Sequence, residues 1–315
     1  MKQLSDSVVA RLRADMQVPD LTGTRYAVVR HLARGGMGSV WLVEDTVLKR
    51  QVALKVLDLV TPAADLPERL LQEARILASL EHPGIVPVHD AGILSDGRAF
   101  YGMKFVEGQT LTRHIAGQSP HDRLRLVERM AEPLDFAHAR GLIHRDLKPE
   151  NIMIGAFGEV LVMDWGLAKV GASAGNVQGG VLRTVLGTPG YMSPEQARGD
   201  ADINRRTDIF SLGAILWFLL NGEAPGDSSA ATATVPRPLR AICAKAMADD
   251  PNPRYESAGE LAADVNRYLN GAPVTAYPES LIERTARLYA RHRTAVVLVA
   301  VYLLMRVLFI LLSHR

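Results

Sequence analysis

"GLIHRDLKPENIMI", residues 141–154, is the stretch whose reading decides the fold. It sets His144, Arg145, Asp146, Lys148 and Asn151 around Pro149. A proline there removes a backbone donor and fixes φ, so the stretch is no ordinary helix. The flanks, Leu142, Ile143 and Ile152 to Ile154, are apolar enough to be buried. The polar residues therefore sit on a short loop between two buried segments. Asp146 can accept a proton from a hydroxyl nucleophile. Lys148 can neutralise charge on a transferring phosphoryl group. Asn151 is a hard oxygen ligand suited to Mg²⁺.

Reading toward the C-terminus, "LVMDWGLA" (161–168) puts Asp164 at the end of an apolar strand, where a carboxylate can hold metal. "GTPGYMSPEQA" (187–197) follows after a Gly/Ser-rich loop. Reading toward the N-terminus, "YAVVRHL" (26–32), "SVWLVED" (39–45) and "QVALKVL" (51–57) are strand-like. Between the first two lies the glycine turn "LARGGMGSV". Its plain reading is a hairpin, although glycines also let backbone amides approach phosphates. Lys55 lies on an alternating strand, and "DLPERLLQEARILASLE" (65–81) has helical spacing and offers Glu73 as a partner. After residue 107 the pattern is mostly helical. "TDIFSLGAILWFLLNG" (207–222) looks buried nearly all round. A β-rich first lobe followed by a helical second lobe implies a ligand cleft between them.

At 315 residues the chain is long enough for two lobes with their own cores. Its 36 basic and 34 acidic residues leave a net charge of +2, so no nucleic-acid partner is expected. Cys243 is the only cysteine, so no intramolecular disulfide can form, which suits a reducing cytosol. The N-terminus carries no apolar signal segment.

Taken together these residues resemble the eukaryotic-like protein serine/threonine kinase family in its bacterial, membrane-linked form. The glycine-rich loop is Ala33-Arg34-Gly35-Gly36-Met37-Gly38-Ser39-Val40, and the strand lysine is Lys55 of "VALK". The catalytic loop is "HRDLKPEN", the metal motif "DWG" at 164–166, and the "APE"-type motif "SPE" at 193–195. Order and spacing match from about residue 23 to 271. The resemblance implies a bilobal α+β fold, ATP with Mg²⁺ (Mn²⁺ as the alternative ion), and protein substrates with Ser/Thr acceptors.

It also implies roles. Backbone at Gly35, Gly36 and Gly38 should cover the ATP phosphates, with Ala33, Arg34, Met37, Val40 and Ala53 in the same nucleotide site. Lys55 should hold the α and β phosphates while paired with Glu73. Met103 resembles the gatekeeper, and Lys104 to Val106 the hinge. Asp146 is the expected base and Lys148 the γ-phosphate contact. Asn151 and Asp164 are the expected Mg²⁺ ligands. Thr188 resembles the threonine tying the substrate platform to Asp146 and Lys148. Thr184 and Ser173 are candidate phosphosites in the activation segment, with Arg145 as the partner of a Thr184 phosphate. Glu195 is expected to pair with Arg254, and Asp208 to hold the catalytic-loop backbone. The chain departs from the pattern at four places. Ala33 replaces the first loop glycine, Trp165 the usual Phe, and Lys104 a frequent Glu. "APGDSSAATATVPRPL" (224–239) stands where a substrate-docking helix is usual. The competing reading is an ATP-binding pseudokinase scaffold, and a small-molecule phosphotransferase is a third.

The expected organisation is a flexible leader (1–22), a first lobe with hinge (23–106) and a helical lobe (107–271). A basic juxtamembrane segment (272–294) and a transmembrane helix (295–312) complete it. "AVVLVAVYLLMRVLFILL" would span about 27 Å as a helix. An arginine at the centre would oppose insertion by about 2.5–3.5 kcal/mol, against roughly −4 to −8 kcal/mol from the Leu, Ile, Val and Phe residues. Arg306 is off centre, six residues from Leu312, where it can snorkel toward the C-terminal side. Arginines cluster before the segment, which orients the kinase to the cytoplasm in a single-pass inner-membrane protein contacting lipid. A homodimer is compatible with this arrangement.

Overall fold

The computed structural model describes residues 18–35, 38–57, 66–165, 188–200, 203–226, 235–291 and 293–313. The first lobe is a five-stranded antiparallel sheet in the order β1-β2-β3-β5-β4. Its strands are β1 (Tyr26–Gly35), β2 (Gly38–Asp45), β3 (Arg50–Leu57), β4 (Val88–Ile93) and β5 (Ala99–Lys104). Helix α1 (Leu66–Ala78) packs on the inner face through Leu70 and Ala74.

The alternation of β3 sorts the two faces. Val52, Leu54 and Val56 point outward into a cluster with Trp41, Val43 and Phe100. Ala53 and Leu57 point inward against Tyr101, Met103 and α1. A sheet apolar on both faces needs a cover on each side. Leu21 and Leu94 cover the outer one. The leader is thus docked before residue 22. Arg98 donates to the Val18 carbonyl at 3.2 Å, and Ser95 Oγ donates to Asp20 at 2.8 Å. The rest of the expected leader, residues 1–17, lies outside the described residues.

The second lobe opens with a small sheet of β6 (Gly108–Thr110), β7 (Ile152–Gly155) and β8 (Val160–Val162) in that order. A short helix α2 (Leu111–His114) follows β6. Helix α3 (Pro120–His138) is capped by Ser119, which accepts from the Asp122 N–H at 3.2 Å. Beyond β8 come α4 (Pro194–Arg198), α5 (Arg206–Asn221), α6 (Arg237–Ala246) and α7 (Ala258–Leu269). Helix α5 is the centre of the lobe, with Ile209, Leu212, Ile215 and Leu216 fully buried. Beyond its polar first turn α5 is apolar on nearly every face, which is stable only when surrounded, and α3, α6 and α7 surround it. The start of α7 is fixed to α3, because Asp135 accepts from the Ala258 and Gly259 N–H groups at 2.9 and 2.8 Å.

Packing continues past the boundary expected at residue 271. Val274 is buried. Buried Asp264 accepts from Thr275 N–H (2.9 Å), Thr275 Oγ (2.6 Å), Ala276 N–H (3.0 Å) and Tyr255 OH (2.9 Å). The same carboxylate takes Arg267 at 2.7 Å. Glu195 on α4 and Arg254 form a second buried device, a two-pronged ion pair at 2.7 and 2.8 Å. Thr207 Oγ also donates to Glu195, and the remaining Arg254 donors reach the Ala248, Arg206 and Asp249 carbonyls. A buried pair is tolerable only when its spare donors and acceptors are used in this way.

These contacts set an acid limit. Burial alone would raise the Asp264 and Glu195 carboxyls, but their donors, Thr275 first for Asp264 and Arg254 first for Glu195, hold each at about 2. A depressed carboxyl contributes stability that is present above its unfolded pKa and lost as pH falls through the folded value. Each group accordingly contributes on the order of 2–3 kcal/mol at neutral pH, lost between about pH 4.5 and 2. Urea unfolding at pH 7, 4 and 3 is expected to show this loss, and Glu195→Gln to lower stability at pH 7 and flatten the slope. An unchanged slope in that variant contradicts the assignment.

Helix α8 (Leu281–Arg291) and helix α9 (Arg293–Ser313) end the described chain. Among the described residues no helix is long and apolar enough to cross a membrane, so the span expected at 295–312 is not shown. What stands there is α9, with Leu298, Tyr302, Leu304, Phe309 and Leu312 exposed. The side chains of Val307, Leu308 and Leu311 lie outside the described residues.

Candidate active site

The loop from His144 to Asn151 runs from the end of α3 to β7, and each of its polar residues has a fixed partner. Asp208, in the first turn of α5, is fully buried. It accepts from the His144 N–H at 2.8 Å and the Arg145 N–H at 2.9 Å. His138, at the end of α3, reaches the same carboxylate at 2.7 Å. Burial would raise the Asp208 carboxyl, but His138 and the loop donors hold it below the usual range.

His144 is completely buried, which lowers its pKa and keeps it neutral. Its Nε2 lies 2.9 Å from the Met163 carbonyl, which can only accept, and its Nδ1 lies 3.3 Å from the Asp146 N–H, which can only donate. The proton therefore sits on Nε2. The Met163 N–H donates to the Asn151 carbonyl at 2.8 Å. Both backbone groups of Met163 are thereby held by the catalytic-loop region, which sets the next residue, Asp164, beside Asn151. Trp165 completes the anchor. It is buried, with its ring 4.9 Å from that of His144 and its Nε1 donating to the Val162 carbonyl.

Lys148 Nζ stands 3.3 Å from the Asp146 carboxylate and donates to Thr188 Oγ at 3.0 Å. Asn151 Nδ2 donates to the Asp146 carbonyl at 2.8 Å. Asp146 and Lys148 are each about a quarter exposed, so both face an open space. Across it, Lys55 Nζ donates to Asp164 Oδ1 at 3.0 Å. Burial pushes the Asp164 carboxyl up, but Lys55 outweighs it and keeps the group ionised at neutral pH. Arg145 and Asp164 carry positive φ, 65° and 52°. For residues other than glycine this is strained backbone, retained where surroundings over-determine it.

Beyond this polar floor lies an apolar cluster between the lobes. Val40, Ala53 and Met103 from the sheet, Val106 from the hinge, and Met153 and Met163 from the lower lobe belong to one cluster. Cross-strand register puts Ala33 opposite Val40, Arg34 opposite Ser39, Gly35 opposite Gly38, and Ala53 opposite Met103. Gly38 has its own structural reason, since a Cβ there would clash with the Val56 carbonyl. Lys104 ends β5 with an exposed side chain. Gly36, Met37, Ser173 and Thr184 lie outside the described residues. So does the side chain of Glu73, whose backbone is on α1.

Met153, Met163, His138 and Gln196 belong to the site and were not singled out by sequence reasoning. The methionines read as ordinary strand residues, and His138 as one more polar position on a helix. Only the tertiary arrangement brings them to the loop.

Residues 26–273 match the model of the protein kinase domain. The chain belongs to the protein kinase domain family. It is 38% identical over 307 residues to serine/threonine-protein kinase PknB of Mycobacterium tuberculosis, covering 87% of this chain and 47% of that protein. It is 33% identical to serine/threonine-protein kinase PknD of Chlamydia felis, covering 79% of this chain and 31% of that protein. The chain thus spans about half or less of the length of these curated relatives. Among solved structures it resembles the PknI kinase domain of M. tuberculosis, with a TM-score of 0.62 and 31% identity over 79% of this chain and 96% of that one. The kinase fold is bilobal, with a sheet-rich first lobe and a helical second lobe.

Proposed function

We propose that this kinase domain transfers the ATP γ-phosphate to Ser/Thr hydroxyls of proteins. The observation that carries this reading is Lys148 held between Asp146 and Thr188 while Asn151 fixes the Asp146 backbone. A hydroxyl entering beside Thr188 would meet Asp146 as base, with Lys148 close enough to compensate charge on the transferred group. The apolar cluster of Val40, Ala53, Met103 and Met163 would supply the faces for a flat heteroaromatic ring, with the Lys55–Asp164 pair on the phosphate side.

Among the described residues no cluster of three His, Cys, Asp or Glu could hold a metal alone. One ionised carboxylate, Asp164, with the Asn151 amide oxygen and phosphate oxygens is nevertheless the hard-oxygen set Mg²⁺ takes with nucleotides. When bound, the ion would neutralise charge on the phosphates. Mn²⁺ fits the same donors. Incubation with labelled ATP, Mg²⁺ and a generic protein tests the reading, with phosphoserine or phosphothreonine as the expected product. Binding of ATP without transfer would favour the scaffold.

Regulation is proposed at Thr184, whose phosphate would pair with Arg145 beside the base and order the segment. Thr184→Ala is expected to lower activity toward protein substrate, whereas wild-type rates in that variant remove the switch. Ser173 is the second candidate.

We also propose that α9 anchors the domain in the cell membrane, with α8 and its arginines on the cytoplasmic side. The support is the set of large apolar side chains that α9 turns to solvent, among them Leu298, Leu304 and Phe309, next to the arginine-bearing α8. Full-length protein is expected to stay with membranes through alkaline carbonate, and a 1–294 truncation to be released. Release of both contradicts the anchor.

A further inference from the structure

Arg145 precedes the proposed base and holds a φ of +65°. Asp208 accepts its N–H, and Gln196 Nε2 donates to its carbonyl at 2.6 Å. Both ends of this strained residue are gripped, and the second grip comes from α4, the helix that carries Glu195. The peptide joining Arg145 to Asp146 can therefore not rotate without breaking a bond to α4.

The amide of Gln196 has only one orientation that satisfies its neighbours. Its Oε1 accepts from the Ser193 N–H at 3.3 Å and from Ser193 Oγ at 3.3 Å. Its nitrogen is left to face the Arg145 carbonyl. At this third position of a helix, Gln and Glu serve equally as the partner of an N-terminal Ser. Only Gln supplies an N–H to a carbonyl in the same reach. A glutamate here would keep the start of α4 and set an anionic oxygen against the Arg145 carbonyl oxygen.

We propose that Gln196 is a positioning residue for phosphoryl transfer, fixing the Arg145–Asp146 peptide so that the Asp146 carboxylate addresses the acceptor hydroxyl. This rests on the kinase reading above. It predicts a pH signature. A partly buried carboxyl facing a carbonyl has a raised pKa, and its neutral form can donate the missing hydrogen bond.

The test uses the full chain with Gln196→Glu and Gln196→Ala. At pH 8, Gln196→Glu is expected to lower kcat about 10- to 100-fold, the effect of a misplaced group of this kind. The KM for ATP should stay near wild type, and the melting temperature of Gln196→Glu should be lower at pH 8 and recover as pH falls to 6, because a raised carboxyl costs stability only while it is ionised. Its kcat relative to wild type should rise several-fold as pH falls from 8 to 6, while that of Gln196→Ala stays flat. Hydrogen exchange across residues 141–150 should be faster in both variants at pH 8. Wild-type kcat in Gln196→Glu at pH 8, or a deficit that does not change with pH, overturns the proposal. If the wild-type chain transfers no phosphate, the kinase reading fails instead. Unchanged loop exchange then still overturns the grip assigned to Gln196.

Discussion

Asp146→Asn is expected to leave a folded protein whose phosphate incorporation is lower by about three orders of magnitude, within the range of general-base catalysis. The substitution changes little else. Asparagine has the same shape, and the backbone carbonyl that holds Asn151 remains. The loop is fixed from outside, by Asp208 on the His144 and Arg145 amides and by His144 on Met163. What disappears is an oxygen able to accept the proton and to face Lys148 at 3.3 Å. Lys55→Met should give a loss of similar order by another route, since it removes the charge beside Asp164 that in the proposed reading would hold the phosphates. The two can be separated, because Lys55→Met should weaken nucleotide binding and Asp146→Asn should not. Steady-state rates with nucleotide binding by calorimetry check both.

Asp208→Asn is expected to harm folding and activity together. Asp208 has no exposure and accepts three contacts, from two loop amides and His138. An asparagine presents an NH₂ group to at least one of those donors. Breaking a buried, hydrogen-bonded charge typically costs about 3–5 kcal/mol. At about 2–4 °C per kcal/mol for a domain of this size, the melting temperature should fall by roughly 6–20 °C. The surviving folded protein should also lose kcat, because the catalytic-loop backbone is freed. A variant that melts within 2 °C of wild type by calorimetry would contradict the role given to Asp208.

Sequence and structure agree where the signal is local. Strand-like runs marked β1 to β3, the apolar run at 207–222 marked α5, and "HRDLKPEN" marked the loop. The signal fades where a residue acts across the fold. Asp208 and His138 are 70 positions apart, and nothing in the helix periodicity of either tells that they meet. Gln196 is visible as the end of a Ser-x-x-Gln helix start, but its other contact lies 51 positions back. The chain ends differ for another reason. Docking of residues 18–22 and 272–276 combines one buried apolar side chain in each, Leu21 and Val274, with a few specific hydrogen bonds to Asp20 and Asp264, too little to show as an apolar pattern.

The most direct test of the central claim is intact-mass and peptide mass spectrometry of the purified full chain after incubation with Mg²⁺ and ATP, beside Asp146→Asn. The account predicts phosphate on Ser or Thr in the wild-type chain or an added protein acceptor, and none above background in the variant. Equal phosphorylation of both, or nucleotide binding with no phosphate on either, would contradict it.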